Sequence, residues 1–461
     1  MNPEILQKVL ESDIVAGSEK EIPQFTGLSI DSRTIKAGDI FFAIVGDKND
    51  GHDYIEKVFA QGAAAAIISR SQLDRFTTAS PGPLYVVDDT HEALLNLAGY
   101  IRRRADAGFA AITGSNGKTT TKEMLYSIVK VRHNVFRSPG NLNNLFGLPI
   151  SLGRMPAVDY AIFELGISVP GEMIRLSSII KPELAVITNI GPAHLETLIT
   201  IDNVVKAKFE LVDCLPVGAA VVLNADDPKL IEEAGRRNLD YIGFGIDNDC
   251  DFVGTNIVTH SEKGISFEVH GHRIELPTCG RVNVYNALAA IAASSIWGCG
   301  ALDWQKGMAD FHPVEMRLTM EHEGGLHYLV DCYNANPQSV KAALDCLSTF
   351  ETKGRKIAVL GDMLELGEDS PALHEATGQD VVAAGVDFLL CLGPESKHVA
   401  TGAADAGMAG DAICHFLSHQ ELLDHLLGMI VREDLILLKG SRGMELEKIL
   451  YGLKGAAFKN N

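Results

Sequence analysis

The residues whose types and spacing most clearly imply chemistry are Gly114, Gly117, Lys118 and Thr119, within Ala111-Ile-Thr-Gly-Ser-Asn-Gly-Lys-Thr-Thr120. Glycines at such a turn let backbone N–H groups close on an anion. A lysine then adds a mobile cation for outer phosphates, and a threonine hydroxyl can ligate magnesium. The general phosphate loop keeps four residues between its two glycines. Here only Ser115 and Asn116 separate Gly114 from Gly117, and Ile112 stands where the first glycine is usual. A Gly-rich turn without a ligand is the alternative, and the flanking elements decide against it. Residues 109–113 read as a buried strand, and 119–132 as a helix with Met124, Leu125, Ile128 and Val129 on one face.

Two further strands end on residues of the same kind. Tyr160-Ala-Ile-Phe runs into Glu164, and Leu184-Ala-Val-Ile-Thr-Asn-Ile-Gly is followed by His194. A parallel sheet binds ligands beyond the carboxyl ends of its strands, so Lys118 with Thr119, Glu164 and His194 are predicted to share one edge. Glu164 suits magnesium, which takes one or two carboxylates beside phosphate. His194 is a less usual ligand and reads equally as a core or loop histidine. Asn141, Asn143 and Asn144 form either a structural turn or a set of amide donors for an anionic group. Lys206 and Lys208 sit beside Glu210 on a predicted helix over 202–215, where solvated lysines are the default. Asp31, Ser32 and Arg33 offer acceptors, a hydroxyl and a bidentate cation. That set suits a nucleotide diphosphate or uracil edge, or else makes an ordinary charged turn.

The elements that must position these groups divide into three units. With 461 residues, two to four domains are expected. The fold class predicted is α/β: a first unit over 1–104, a central phosphate-loop unit with a parallel sheet over 105–313, and a Rossmann-like unit over 314–461. In the last, strands near 326–331, 356–362, 386–393 and 434–439 alternate with helical patterns over 339–350, 370–384, 418–430 and 444–451. Polar residues gather past these strand ends: Asp331 with Tyr333, Asn334 and Asn336, then Asp362, then Lys439 with Ser441 and Arg442. Residues 303–314 read as a link between the second and third units.

Composition excludes several classes. A net charge of −20 argues against a nucleic-acid binder, though not against phosphate substrates, because local donors outweigh a dispersed, screened charge. Eight scattered cysteines without a C-x-x-C pair predict reduced thiols, mostly in cores, in a cytoplasmic protein. Residues 1–10 show no basic segment followed by an apolar core, so no signal peptide is expected. Residues 282–302 carry no charge, but Asn283, Asn286, Ser294 and Ser295 and the many alanines point to a buried helix and no membrane insertion.

Taken together these motifs resemble the Mur ligase family over nearly the whole chain. Ile30-Asp-Ser-Arg, Gly38-Asp-Ile-Phe and Asp50-Gly-His-Asp match the family's UDP-binding domain. Ile112-Thr-Gly-Ser-Asn-Gly-Lys-Thr-Thr-Thr-Lys-Glu matches its short ATP loop, which lacks the first glycine. Gly140-Asn-Leu-Asn-Asn, Asn189-Ile-Gly-Pro-Ala-His-Leu-Glu and Ala207-Lys-Phe-Glu follow in family order. Asp331-Cys-Tyr-Asn-Ala-Asn-Pro, Leu360-Gly-Asp-Met-Leu-Glu-Leu-Gly and Leu438-Lys-Gly-Ser-Arg are the most specific. They resemble the members that add D-alanyl-D-alanine to UDP-N-acetylmuramoyl-tripeptide, rather than those that add L-alanine, D-glutamate or the third residue.

The resemblance implies ATP, two Mg2+ ions and a carbamylated Lys208 as cofactors, with UDP-N-acetylmuramoyl-tripeptide and D-alanyl-D-alanine as partners. It implies ATP contacts from Thr113, Gly114, Ser115, Asn116, Gly117, Lys118, Thr119 and Thr120. Asn286 would meet the adenine, Arg317 the γ-phosphate and Asp331 the ribose. The implied metal set is Thr119, Glu164, His194 and Lys208, and the implied catalytic set Lys118, Lys208, His194 and Arg317. Ser29, Asp31, Ser32, Arg33, Asn141 and Asn144 would hold the UDP substrate. Two positions depart from the family: Val282 replaces a usual histidine, and Met316 a usual glycine before Arg317. A folylpolyglutamate-type ligase and a non-catalytic nucleotide-binding regulator are the rival readings. The Asp31-Ser-Arg unit argues against the first, and the intact Lys118, Thr119, Glu164, His194 and Lys208 set against the second.

Overall fold

Short runs of alanine, valine, isoleucine and leucine form the centres of three open sheets, with helices packed on both faces. The computed structural model describes residues 3–14, 25–76, 81–260 and 264–457. The first sheet has the strand order Asp13–Ile14, Leu84–Val87, Ala65–Ser69, Asp39–Phe42, Gly27–Ser29, and only its first pair is antiparallel. The helix Thr90–Arg104 leads out of it. Asp89 caps its first turn by accepting the N–H groups of His91 and Glu92, and three arginines sit in its last turn, where the dipole favours them.

The second sheet has seven parallel strands, ordered Phe252–Val253, Ile242–Gly245, Ala220–Asn224, Leu184–Ile187, Gly108–Thr113, Tyr160–Glu164, Val135–Arg137. The phosphate-loop strand is therefore central, flanked by the two strands that end at Glu164 and before His194. Parallel strands need both faces covered. One face takes the helices Lys118–Val129 and Arg281–Ile296; the other takes Glu172–Ile180 and Ile201–Asp213.

The third sheet runs Thr319–Glu323, Leu326–Asp331, Leu435–Lys439, Lys356–Gly361, Phe388–Leu392, Ile413–Phe416, with only the first pair antiparallel.

Several elements differ from the sequence expectation. Residues 303–314 are not simply a link, because Ala301–Ala309 is a helix. Asp303 accepts the Gly300 N–H at its start, and Trp304 and Met308 are buried in the central core. Its three-turn length and glycine-rich lead-in hide it from a periodicity reading. A three-stranded antiparallel sheet (Thr255–Thr259, Ile265–Val269, His272–Leu276) was also unforeseen; its Phe267, Val269 and Ile274 pack into the same core. The helix expected to reach 132 ends at Val129. In the third unit, the edge strands Thr319–Glu323 and Ile413–Phe416 and the helix Lys397–Asp405 are additions.

The uncharged segment behaves as predicted, since Arg281–Ile296 is a buried helix. Among the described residues no helix is long and apolar enough to cross a membrane. All eight cysteines are free thiols, five of them buried.

Candidate active site

The carboxyl edge of the second sheet opens into a cavity of about 1280 Å³, closed on its far side by the third unit. Lys118, Thr119, Glu164, His194, Asn286 and Arg317 all stand on its wall. The shared edge predicted from strand ends is thus formed.

The phosphate loop owes its shape to its glycines. Gly114 has φ +146° and Gly117 φ +81°. A Cβ on Gly114 would lie 1.9 Å from Thr188 Oγ1, and one on Gly117 2.2 Å from Asn286 Oδ1. Neither position admits a side chain. Ser115 Oγ accepts the Gly191 N–H (2.9 Å) and donates to the Gly191 carbonyl (3.0 Å), tying the loop to the strand end that leads to His194. Lys118 Nζ folds back to donate to the carbonyls of Gly114 (2.8 Å) and Ser115 (3.3 Å). Burial depresses its pKa; Glu164 opposes the shift and Arg317 adds to it. Thr120 lies on the wall, whereas Thr113 is fully buried and donates to the Leu165 carbonyl (3.0 Å).

Glu164 is held from three sides. Its Oε2 accepts from Thr119 Oγ1 (2.7 Å), its Oε1 from Asn143 Nδ2 (2.8 Å), and Lys122 Nζ stands 3.9 Å away. His194 has a left-handed backbone (φ +56°), and its Nδ1 meets Glu365 Oε2 of the third unit at 2.5 Å. Burial lowers its pKa, against Glu365, and the cations of Lys118 and Lys208 push the same way as burial.

Lys208 departs from the solvated default: it is buried, whereas Lys206 is exposed. Burial, aided by Lys118, drives its pKa well below the usual lysine value. Among the described residues no carboxylate pairs with it. No group of three or more His, Cys, Asp or Glu side chains is arranged to hold a metal among the described residues.

On the far wall, Arg317 lies over the Tyr333 ring (4.1 Å), and its buried Nε has no hydrogen-bond partner among the described residues. Asp331 pairs with Lys439 (2.8 Å) and accepts the Leu318 N–H (3.3 Å); burial still raises its pKa despite these partners. Asn286 is buried, donating to Asn283 Oδ1 (3.0 Å) and facing Thr121 Oγ1 (3.4 Å).

The first-unit residues are not brought to this cavity. Arg33 pairs with Asp31 in its own turn (2.7 Å), and the Ser29 and Ser32 side chains are buried. Asn141 and Asn144 do reach the wall, although Asn144 Oδ1 accepts the Phe146 and Gly147 N–H groups.

Lys122 and Glu365 lie within the family-like stretches, where the resemblance implies no role for them. Lys122 is fully buried, and its Nζ holds the carbonyls of Ser138 (2.8 Å) and Gly140 (3.1 Å), anchoring the asparagine loop to the phosphate-loop helix. A lysine one turn into an otherwise buried helical face was the signal.

Comparison with known proteins gives the same picture throughout the chain. Residues 24–99 match the family described as "Mur ligase family, catalytic domain", 112–294 the "Mur ligase middle domain", and 316–442 the "Mur ligase, glutamate ligase domain". The UDP-N-acetylmuramoyl-tripeptide--D-alanyl-D-alanine ligase of Bacillus subtilis is 33% identical over 448 residues, covering 95% of each chain. A crystal structure of MurF from Acinetobacter baumannii superposes with a TM-score of 0.88 at 29% identity, covering 98% of both chains. The MurF ligase of Thermotoga maritima, solved in complex with ADP, gives 0.82 at 26% identity, covering 95% of this chain and 99% of that one.

Proposed function

The chain belongs to the Mur ligase family, and from that premise we propose that it joins D-alanyl-D-alanine to UDP-N-acetylmuramoyl-tripeptide, with cleavage of ATP to ADP, in peptidoglycan precursor synthesis in the cytoplasm. The observation that carries this reading is one cavity whose near wall holds Lys118 and Thr119 and whose far wall holds Arg317. A carboxylate is a poor electrophile, so the tripeptide's terminal carboxylate first attacks the γ-phosphate, giving an acyl phosphate and ADP. The amine of D-alanyl-D-alanine then attacks that carbonyl, and phosphate leaves from the tetrahedral intermediate. The protein's part is positioning and neutralisation of charge.

In this reading Lys118 and the loop N–H groups of Gly117 to Thr120 take the outer phosphates. The unpartnered Arg317 Nε faces charge developing on the γ-phosphate. Asn286 meets the adenine and Asp331 the ribose. Thr119, Glu164, His194 and a carbamate on Lys208 would hold two magnesium ions, which when bound supply Lewis-acid neutralisation of phosphate charge. The residues fit: a neutral buried amine adds to carbon dioxide, losing a proton, and becomes the missing anionic oxygen ligand. The division into a UDP-substrate unit (1–104), an ATP unit (105–313) and a closing unit (314–461) belongs to the same proposal. Ser29, Asp31, Ser32 and Arg33 then serve the UDP end, and Asn141 and Asn144 the muramoyl side.

The test is product formation by purified protein with ATP, D-alanyl-D-alanine and tripeptides ending in lysine or in diaminopimelate. Amide product with ADP, dependent on both peptide substrates, is expected with one of the two. ADP release that ignores both peptides would instead favour a nucleotide-hydrolysing regulator.

A further inference from the structure

The side chain of Asn116, in the middle of the phosphate loop, does not face the cavity's phosphate end alone but spans the seam between the second and third units. Its Nδ2 donates to Gln338 Oε1 (2.8 Å), and its Oδ1 accepts from Asn336 Nδ2 (2.8 Å). Both partners belong to the start of the third-unit helix Pro337–Thr349.

The amide orientations fix one another. Asn336 Oδ1 is occupied by the Ser339 N–H (2.9 Å), because Asn336 caps that helix. Its Nδ2 must therefore point to Asn116, which turns the Asn116 Nδ2 toward Gln338. The backbone of Asn116 is tied as firmly on the other side. Its N–H donates to Asn189 Oδ1 (2.9 Å), and its carbonyl accepts from Thr188 Oγ1 (2.5 Å) and Asn189 Nδ2 (3.1 Å). Gln338 reaches this place because residue 191 is glycine: a Cβ there would lie 2.3 Å from Gln338 Oε1.

We infer that Asn336 and Gln338 are positioning residues for phosphoryl transfer, forming a clamp through which docking of the third unit fixes the phosphate loop by way of Asn116. Lys118 and Thr119 follow Asn116 directly in the loop, so a loop left unclamped misplaces the groups that meet the γ-phosphate. A displacement of about 1 Å in reacting geometry costs up to roughly a hundredfold in rate. Nucleotide binding to the second unit does not need the clamp; turnover does. The inference rests on the phosphate-loop reading above.

The test compares Gln338→Met, Asn336→Ser and Gln338→Glu with the wild type, in the full chain. Serine keeps a helix-capping oxygen but not the reach to Asn116; glutamate keeps an acceptor for Asn116 Nδ2. ADP affinity is measured by calorimetry, alongside kcat and KM for ATP and the thermal midpoint. Gln338→Met and Asn336→Ser are expected to lower kcat about tenfold, the scale of a hydrogen bond made only in the closed state. ADP affinity and thermal midpoint should stay at wild-type values, and Gln338→Glu should restore most of kcat. In a double-mutant cycle, Asn116→Ala with Gln338→Met should lose no more than Asn116→Ala alone. Unchanged kcat in both single variants, additive losses in the cycle, or parallel loss of ADP affinity and thermal midpoint would each overturn the clamp. Wild-type protein that makes no amide product would sink the proposed reaction instead, and the two failures are read from different samples.

Discussion

At the residue scale, the site rests on buried groups that are costly to keep, and cost marks function. Lys118 is expected to be indispensable: Lys118→Ala should lower kcat by about a thousandfold or more, the range seen when a group stabilising a phosphoryl transition state is removed. Its circular dichroism should match the wild type, because Nζ touches only loop carbonyls. Lys208 is the sharper case. A lysine whose folded pKa lies below its unfolded value binds fewer protons when folded, so between those two values stability rises with pH. The charge is being suppressed at a cost to the fold. Lys208→Met should therefore abolish most activity yet raise the thermal midpoint of the ligand-free protein. That gain should be largest at low pH and vanish as pH rises through the unfolded lysine value near 10.4. Lys206→Met, at an exposed position, should change neither. A Lys208→Met protein that melts at the wild-type temperature across this range would rule out a neutral, buried Lys208. In Lys208→Ala, a short carboxylic acid in solution should restore part of the rate. Sequence alone leaves both lysines solvated by default; only the folded packing separates buried Lys208 from exposed Lys206.

At the element scale, what is legible in the sequence are strands that end on polar residues and helices with a clear apolar face. Glu164 and His194 were found because a parallel sheet forces strand ends to one edge, whatever covers its faces. Ala301–Ala309 and the small sheet over 255–276 escape a sequence reading because each is short and takes its stability from packing: the helix lies against Lys118–Val129 and against the strand His272–Leu276. The connection into the third unit also stands out. Met316 has φ +59° and Leu318 φ +49°, left-handed conformations that cost a non-glycine residue roughly 1 kcal/mol each. The Met316 carbonyl accepts the Tyr333 N–H (3.3 Å), and Arg317, between the two strained residues, points into the cavity. The surrounding packing holds this turn in place. Met316→Gly should relieve strain in the closed arrangement but enlarge the freedom of the open one. Glycine at a position with φ > 0 typically changes stability by about 1 kcal/mol or less in either direction. The expected readout is a thermal midpoint within a few degrees of wild type, with a faster rate of domain opening in hydrogen exchange across residues 314–318. Exchange there that is unchanged would mean that the strain is not stored at this hinge.

At the scale of the whole molecule, the first unit is attached away from the ATP cavity, where the second unit meets it with the helices Glu172–Ile180 and Gly147–Gly153. The helix Gly147–Gly153 packs against it: a Cβ on Gly153 would lie 2.6 Å from Leu28 Cγ, and Arg154 pairs with the buried Asp39 (3.1 Å). Upstream of that helix lie Asn141, Asn143 and Asn144, anchored by Lys122 to the phosphate-loop helix. Substrate bound across the first unit would thus be read by the asparagine loop, while Asp31 and Arg33 themselves stay off the cavity wall. Their ion pair is exposed, with the Arg33 side chain 82% accessible, so it contributes little to the fold. The Arg33 guanidinium also holds the Asp31 carboxyl below the usual range. Arg33→Ala should accordingly leave the thermal midpoint and the affinity for ADP unchanged. The KM for the UDP substrate should rise about tenfold or more, as for loss of a charge-assisted contact to a diphosphate, and the rise should shrink at high salt. Steady-state kinetics with each substrate varied in turn provides the measurement. If ATP affinity fell by the same factor in a folded protein, the first unit would have to share the nucleotide site, and the separation of substrate and ATP between units would be wrong.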